Sequence, residues 1–584
     1  MDKTTKEILG EKIKDARWTP LYNPEALQRI DDTIGDWRET KVREADKKNW
    51  EVTPQTILGS KIPRNLFYGP SDVKDSDYLE DLGYPGSEPF TRGIHANMYR
   101  GRAFTRRQLS GAGSPEYVNK RIKMLLDHGA TGMNLALDLP TVQMFDSDEP
   151  EARGHVGVVG VPVDCVADME EIFKDIPIDK ISASIVTHFP RNTAIIFPMY
   201  LVMAERRGIP WDKLEGSVQN DFIMESVVRN GPEFISPKAT FKLQCDNIEF
   251  IRQNVPRWNY VTLNGYNLRE FGSSGITEMA VALSNAIESF EEIIRRGHEV
   301  DWVAERVAFF WAPANDFFEE VARLRAVRRL WYRIMKYRFN AQNPRSMWMR
   351  CHVQTSGISL MREEPMNNVI RASYHALAAI LGGAQSLHVD SYDEAYSVPT
   401  EESSLLSLRT QQIIEAETAV TQVVDPLGGS FYLETLTNQV EKAILDEIEE
   451  IEKMGGLSKC VERGWLQKKV SEFIHNEQDM IEKGEITIVG RNYYRTSDVK
   501  LPDIRVPDYP EGLEEKMKAK LDRIRRERDN NQVVRCLRNL KEACEKGENV
   551  TYHTLEAARS NATKGEMRRA IVEGFGPWRS GLIV

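Results

Sequence analysis

The chain's 584 residues are 41% hydrophobic and 28% charged, which excludes a disordered or fibrous protein and suits one large α/β unit with appended parts. The net charge of −11 is spread along the chain rather than gathered into a patch, so there is no basic footprint for nucleic acid. The charged N-terminus lacks the apolar core of a secretory signal, and the longest near-apolar run, 194–204, is too short to span a bilayer, so the expectation is a cytoplasmic protein without membrane contact.

In chain order, residues 1–70 are rich in Trp, Pro and charge and read as an arm wrapped on the core or on a partner. Eight strand-like runs follow between residues 71 and 497: PFTRGIHA (89–96), GMNLALDL (132–139), KISASIVT (180–187), LEGSVQ (214–219), YVTLNGYN (260–267), RVAFFWA (306–312), MWMRCHVQT (347–355) and AQSLHVDS (384–391). Helical patterns such as 277–297 and 316–339 separate them, with apolar residues at helical spacing and charges on the other face. Eight alternating units predict a (β/α)8 TIM barrel. Residues 498–584 form the third segment: a linker with three prolines (499–510), then a helical extension from Gly512 whose charge run reads as a solvated face.

Several predicted strands carry polar residues where a barrel interior is normally filled with branched aliphatics: Ser182, Ser184, Ser217, Gln219, Asn264, Gln354, Gln385 and Ser386. Either these are strand ends facing water, or the barrel accommodates a polar ligand. The six cysteines form no CxxC pair and have no His-rich neighbour at ligand spacing, so reduced structural thiols are expected and no metal site is assigned.

The runs PFTRGIHANMYRGRAFTRRQ, ALDLPT, DSDEP, GSVQND, VVRN, NPRSMWMRCHVQTSG, QSLHVDSYDEA and VDPLGGSFY, in this order over about residues 70–580, resemble the methylmalonyl-CoA mutase family, the coenzyme B12-dependent acyl-CoA mutases. The resemblance implies a radical 1,2-rearrangement of an acyl-CoA with adenosylcobalamin as cofactor, the CoA arm threading the barrel axis. The family's DxHxxG motif, whose His is the lower cobalt ligand, does not occur here. This implies the large subunit of a two-chain enzyme, a heterodimer or heterotetramer with a small B12-binding subunit carrying DxHxxG, served by a B12-loading G-protein chaperone.

The resemblance also assigns residues. Arg229 in SVVRN stands where the family grips a substrate carboxylate, a task suited to a guanidinium fork. Gln219, Asn267 and Arg229 form the expected catalytic set, and Ser217 binds the acyl and thioester region beside Gln219. His95, Met98, Thr105, Arg107 and Asn259 are expected on the substrate, with Arg306, Gln385 and Ser386. Leu137, Val159, Gln354, Glu394 and Ser397 are expected near the cofactor, together with Leu109; Glu394 also reads as an ordinary carboxylate at a helix N-terminus.

Three departures bear on the substrate. RQLSG places Leu109 where the family has a wedge tyrosine, GYN places Asn267 where it has a histidine, and His95 replaces a tyrosine. Asn267 can donate a hydrogen bond but cannot act as a cation or strong acid. A retained Arg229 with a trimmed wedge points to a substituted malonyl- or succinyl-CoA bulkier than methylmalonyl-CoA. The alternatives are methylmalonyl- or ethylmalonyl-CoA, then isobutyryl- or 2-hydroxyisobutyryl-CoA. Outside this chemistry lie a non-catalytic partner of a B12 protein and a hydrolytic or aldol-type barrel, the latter lacking a nucleophile–base pair or metal cluster in the sequence.

Overall fold

The structure is a computed structural model that describes residues 3–14, 23–46, 60, 62–228, 235–496 and 511–578. Parallel strands covered on both faces need apolar residues throughout, and β3 (Gly132–Ala136) and β8 (Val307–Trp311) are buried along their whole length. The other strands are β1 (Thr105–Arg107), β2 (Leu109–Ser110), β4 (Ser182–Val186), β5 (Glu215–Val218), β6 (Trp258–Asn259), β7 (Val261–Asn264), β9 (Arg350–Gln354) and β10 (Ser386–His388). All pair in parallel, in two ladders ordered β1-β10-β9-β8-β7 and β2-β3-β4-β5-β6. Only Gln108 separates β1 from β2, and only Tyr260 separates β6 from β7, so the chain passes between ladders at both edges.

Seven of the eight predicted runs contain one of these strands. The run 89–96 does not: it is a chain of turns with left-handed backbone at Phe90 (φ 63°) and Gly93 (φ 119°). Pro89 lacks a donor for a ladder, and the carbonyls of Phe90 and Thr91 instead accept from Arg328 Nε and Nη2, both at 2.7 Å. The first strand segment lies later, in FTRRQLS.

The predicted helices appear as Gly275–Arg295, capped by Ser274, and Phe317–Arg333, capped by Asp316. The second corrects the amphipathic reading, because its arginines are not a wet face. Arg323 and Arg325 are at most 1% exposed, and they reach Glu320 and Glu434 at 2.6 Å each. Arg333 reaches Glu441 at 2.7 Å, so ion pairs pin this helix to Phe431–Lys453. Of the arm, helix Thr5–Lys14 rests on the same partner through Thr5 Oγ1 donating to Glu452 (2.7 Å).

The linker 499–510 lies outside the described residues. The extension forms helices Leu513–Glu527, Asn530–Lys546, Val550–Arg559 and Lys564–Phe575. Its charge run is only partly solvated: Lys520 pairs with Asp168 of helix Val166–Ile172 (2.6 Å) and Arg525 with Asp146 in the loop after β3 (3.1 Å), tying the first helix to both. No helix among the described residues is long and apolar enough to cross a membrane.

Candidate active site

Residues in register on neighbouring strands point to the same side of a sheet. In one ladder the register runs Leu109, Asn134, Ser184, Ser217, Asn259; in the other, Thr105, Ser386, His352, Phe310. All nine side chains line one cavity of about 500 Å³, a size suited to a cofactor or an extended ligand. Small residues open it: Ser184 and Ser217 face each other with hydroxyls 3.2 Å apart, and Ala136 and Ala308 continue the wall.

Because every strand runs the same way, the cavity has two chemically different ends. Near the strand starts, Arg350 is pushed down to about 10 by burial and by the neighbouring Arg306 and Arg345. The guanidinium groups of Arg345 and Arg350 lie 5.8 and 5.5 Å from the Trp348 ring, whose edge meets His95 at 5.2 Å. Deeper in, Arg107 donates from Nε to Ser386 Oγ (3.0 Å), from Nη1 to the carbonyls of Met133 (2.9 Å) and Ser182 (3.1 Å), and from Nη2 to Ser182 Oγ (2.6 Å). All these acceptors are neutral, and burial lowers Arg107 to about 10. The Ser386 hydroxyl also meets His352 Nδ1 at 2.9 Å.

At the strand ends, Gln354 Nε2 donates to the Tyr266 hydroxyl (2.7 Å) and to Asp390 Oδ1 (2.8 Å), and His388 Nε2 lies 3.1 Å from the same oxygen. Burial pushes Asp390 up to about 8. Tyr266 stacks on Phe310 with ring centres 4.6 Å apart. Asn267, whose backbone amide donates to the helix-capping Asn264 Oδ1 (2.9 Å), accepts at its own Oδ1 from Asn264 Nδ2 (2.8 Å), leaving its NH2 as a donor. The side-chain oxygens of Asn134 and Gln219 have no hydrogen-bond partner among the described residues.

Of the residues expected on substrate or cofactor, the cavity gathers His95, Thr105, Arg107, Leu109, Leu137, Val159, Ser217, Gln219, Asn259, Asn267, Gln354, Gln385, Ser386 and Glu394. Four stand apart. Met98 turns towards Gly93 and lines a separate crevice with Tyr99 and Arg328, Arg306 sits half-buried before β8, and Ser397 lies in the turn after Glu394, its amide on the Asp393 carbonyl. Arg229 lies outside the described residues. Glu394 is in a turn well before helix Glu401–Glu417, not at its N-terminus. Gln385 spends its carboxamide on backbone, accepting from Cys351 N (2.8 Å) and donating to Gly383 O (2.7 Å). Asn264, flagged among the polar strand residues, does not line the cavity; its Oδ1 caps the helix from Gly265.

Sequence reasoning did not single out His188, Asn134, Tyr266, Arg350 or His352, all on the cavity wall. His188 follows β4 in left-handed backbone (φ 58°), a conformation that marks functional sites and that no local pattern announced.

A profile of the family described as methylmalonyl-CoA mutase matches residues 58–577. The chain belongs to the methylmalonyl-CoA mutase family. It is 39% identical over 560 residues to the 2-hydroxyisobutanoyl-CoA mutase large subunit of Aquincola tertiaricarbonis, spanning 95% of this chain and 98% of that one. It is 37% identical to the methylmalonyl-CoA mutase of Cereibacter sphaeroides (93% of this chain, 76% of that one) and 37% identical to the human mitochondrial methylmalonyl-CoA mutase (95% and 75%). Members of this family are B12-dependent acyl-CoA mutases, isomerases that use adenosylcobalamin.

The strand-end mouth fits that cofactor's adenosyl group. Leu137, Leu139 and Val159 offer an apolar surface, Val159 being 53% exposed, and the Glu394 carboxyl and Gln354 carboxamide stand on the same wall as polar groups.

Proposed function

We propose that this chain is the substrate-binding subunit of a two-chain acyl-CoA mutase, in which residues 71–497 form the acyl-CoA-binding unit and 498–584 lead towards a small B12-binding subunit. The two ladders, joined through Gln108 and Tyr260, close on this reading into one (β/α)8 barrel with the cavity on its axis. The observation that carries the proposal is the polarity of the cavity along its length. A mouth lined by Arg350, with Arg306 and Arg345 near it outside the cavity lining, receives the phosphates of CoA, and Arg107, whose acceptors are all neutral, faces the pantetheine and thioester. The far mouth, with Leu137, Val159, Gln354 and Glu394, faces the cofactor.

When bound, adenosylcobalamin supplies the radical that takes a hydrogen atom from the acyl group. The chain's own residues hold the thioester still: Gln219 and Asn267 donate to its oxygen, and Tyr266 with Phe310 excludes water behind it. Leu109 in place of a larger hydrogen-bonding side chain leaves room beside the reacting carbon. With Arg229 for a carboxylate, this supports a substituted malonyl- or succinyl-CoA bulkier than methylmalonyl-CoA. A second reading, a branched hydroxyacyl-CoA, is supported by the match to the 2-hydroxyisobutanoyl-CoA mutase large subunit over 98% of that chain.

The test is calorimetric titration of the isolated chain with a panel of acyl-CoA esters. The proposal expects acyl-CoA to bind and Arg350→Ala to weaken every ester alike, about tenfold. Absence of binding by any ester would overturn it.

A further inference from the structure

Away from the cavity, a group of buried charge lies between the extension and the loop after β3. Lys564 is 0% exposed. Its Nζ donates to Asp164 Oδ1 (2.6 Å) and Thr141 Oγ1 (3.0 Å), and its backbone amide donates to the Asp164 carbonyl (2.9 Å). On either side of it, Gly565 N donates to Asp146 Oδ1 (2.8 Å) and Thr563 Oγ1 to Asp146 Oδ2 (2.6 Å). A fully buried lysine is a poor way to gain stability, because desolvation offsets most of its pairing. What such a group fixes well is geometry.

The segment it fixes carries part of the cavity wall. Thr141, Lys564's second acceptor, also accepts from Val163 N (3.0 Å) and donates its own amide to Asp138 Oδ1 (2.9 Å). Asp138 Oδ2 takes the amide of Gly157 (2.8 Å), and Asp138 N donates to the Val161 carbonyl (3.1 Å). Leu137 and Leu139 flank Asp138, and Val159 lies between Gly157 and Val161; all three side chains line the cavity. The extension also presses this loop from outside. Leu513 and Met517 pack with Ala152 and Val156, and Glu514 accepts from Gly154 N (3.0 Å). A Cβ at Gly157 (φ 74°) would come within 2.5 Å of Leu513, so the loop approaches as closely as glycine allows.

We propose that Lys564 is a positioning residue: through Asp164 and Thr141 it locks the C-terminal helices to the loop that presents Leu137, Leu139 and Val159 to the cavity, so that the extension sets the shape of that wall. The extension is on this account part of the active-site architecture, although none of its residues lines the cavity among the described residues.

Hydrogen–deuterium exchange on the full chain tests the lock. In the wild type, amides of 153–161 and of 560–570 should share one opening rate, as members of one cooperative unit do. Lys564→Met should raise exchange in 137–143 and 153–161 by about tenfold or more, whereas Arg528→Met, which breaks a pair with Glu566 inside the extension, should leave those amides protected. Lys564→Met with Asp164→Asn removes the stranded charge as well and should recover Tm without recovering that protection. In the reconstituted enzyme, Lys564→Met should lower kcat about tenfold and leave the KM for acyl-CoA within about twofold, because the CoA contacts lie at the other mouth. This kinetic arm rests on the function proposed above and the exchange arm does not, so the two failures are distinguishable. If 153–161 opens independently of 560–570 in the wild type, or if Lys564→Met lowers Tm while 153–161 stays protected, the proposal is wrong.

Discussion

Leu109 and Asn134 are register partners on adjacent parallel strands, so an aliphatic side chain and a carboxamide meet the cavity at the same height. Ser184 and Ser217 continue that level and add almost no bulk. On the proposed function, the acyl group takes the space beside Leu109.

Leu109→Tyr should fill that space. Overfilling a packed pocket costs about 1–3 kcal/mol, so the preference for bulky over small acyl-CoA esters should fall by roughly ten- to a hundredfold. The measurement is kcat/KM across alkyl- and arylmethyl-substituted esters with the partner subunit saturating. An unchanged ratio would show that Leu109 is not the size gate.

Arg107 holds a buried positive charge against neutral acceptors alone, an arrangement that gains little stability and favours an incoming negative group. Arg107→Met should shift Tm by only a few degrees yet weaken acyl-CoA binding by about tenfold or more, roughly 1.4 kcal/mol or beyond. Calorimetry and thermal unfolding on the same samples separate the two effects. A large loss of Tm with unchanged affinity would make Arg107 a structural residue.

Asp390 is a carboxyl whose folded value, about 8, lies above its unfolded value of roughly 3.9. Between those values the folded state holds a proton that the unfolded state has released, so stability falls as pH rises through the window and levels off above it. Asp390→Asn removes this contribution. Its unfolding free energy should decline less between pH about 4 and about 8 than that of the wild type, and it should be the more stable protein at the upper end. Urea unfolding at a series of pH values reads both; parallel profiles would contradict the assignment.

Most of the strand order was legible because fully buried parallel strands are continuous apolar runs, as in RVAFFWA. The first strand was misplaced for a physical reason. In FTRRQLS the cavity-facing positions are Thr105, Arg107 and Leu109, so a strand around a polar cavity shows none of the usual pattern, whereas PFTRGIHA mimics one with Phe90 and Ile94. The buried arginines of Phe317–Arg333 misled in the same way, since a helix buried through ion pairs has the periodicity of a wet one. In the site, polar strand residues such as Ser184, Ser217 and Gln354 stood out in the sequence. Asn134 and Arg350 did not, because their place on the wall depends on register with strands distant in the chain.

Arg229→Ala tests the carboxylate in the substrate. Loss of the proposed guanidinium–carboxylate pair should cost about 2–5 kcal/mol in transition-state binding for a dicarboxylic acyl-CoA. It should leave isobutyryl-type esters nearly unaffected. If kcat/KM for the best ester does not change, the hydroxyacyl or isobutyryl reading takes its place.

The most direct test of a two-chain acyl-CoA mutase is reconstitution. The purified chain, adenosylcobalamin and an acyl-CoA ester are incubated with and without a small subunit carrying DxHxxG, and the isomeric acyl-CoA product is followed by mass spectrometry. The account predicts that product forms only when both chains are present, and full turnover by this chain and the cofactor alone would contradict it.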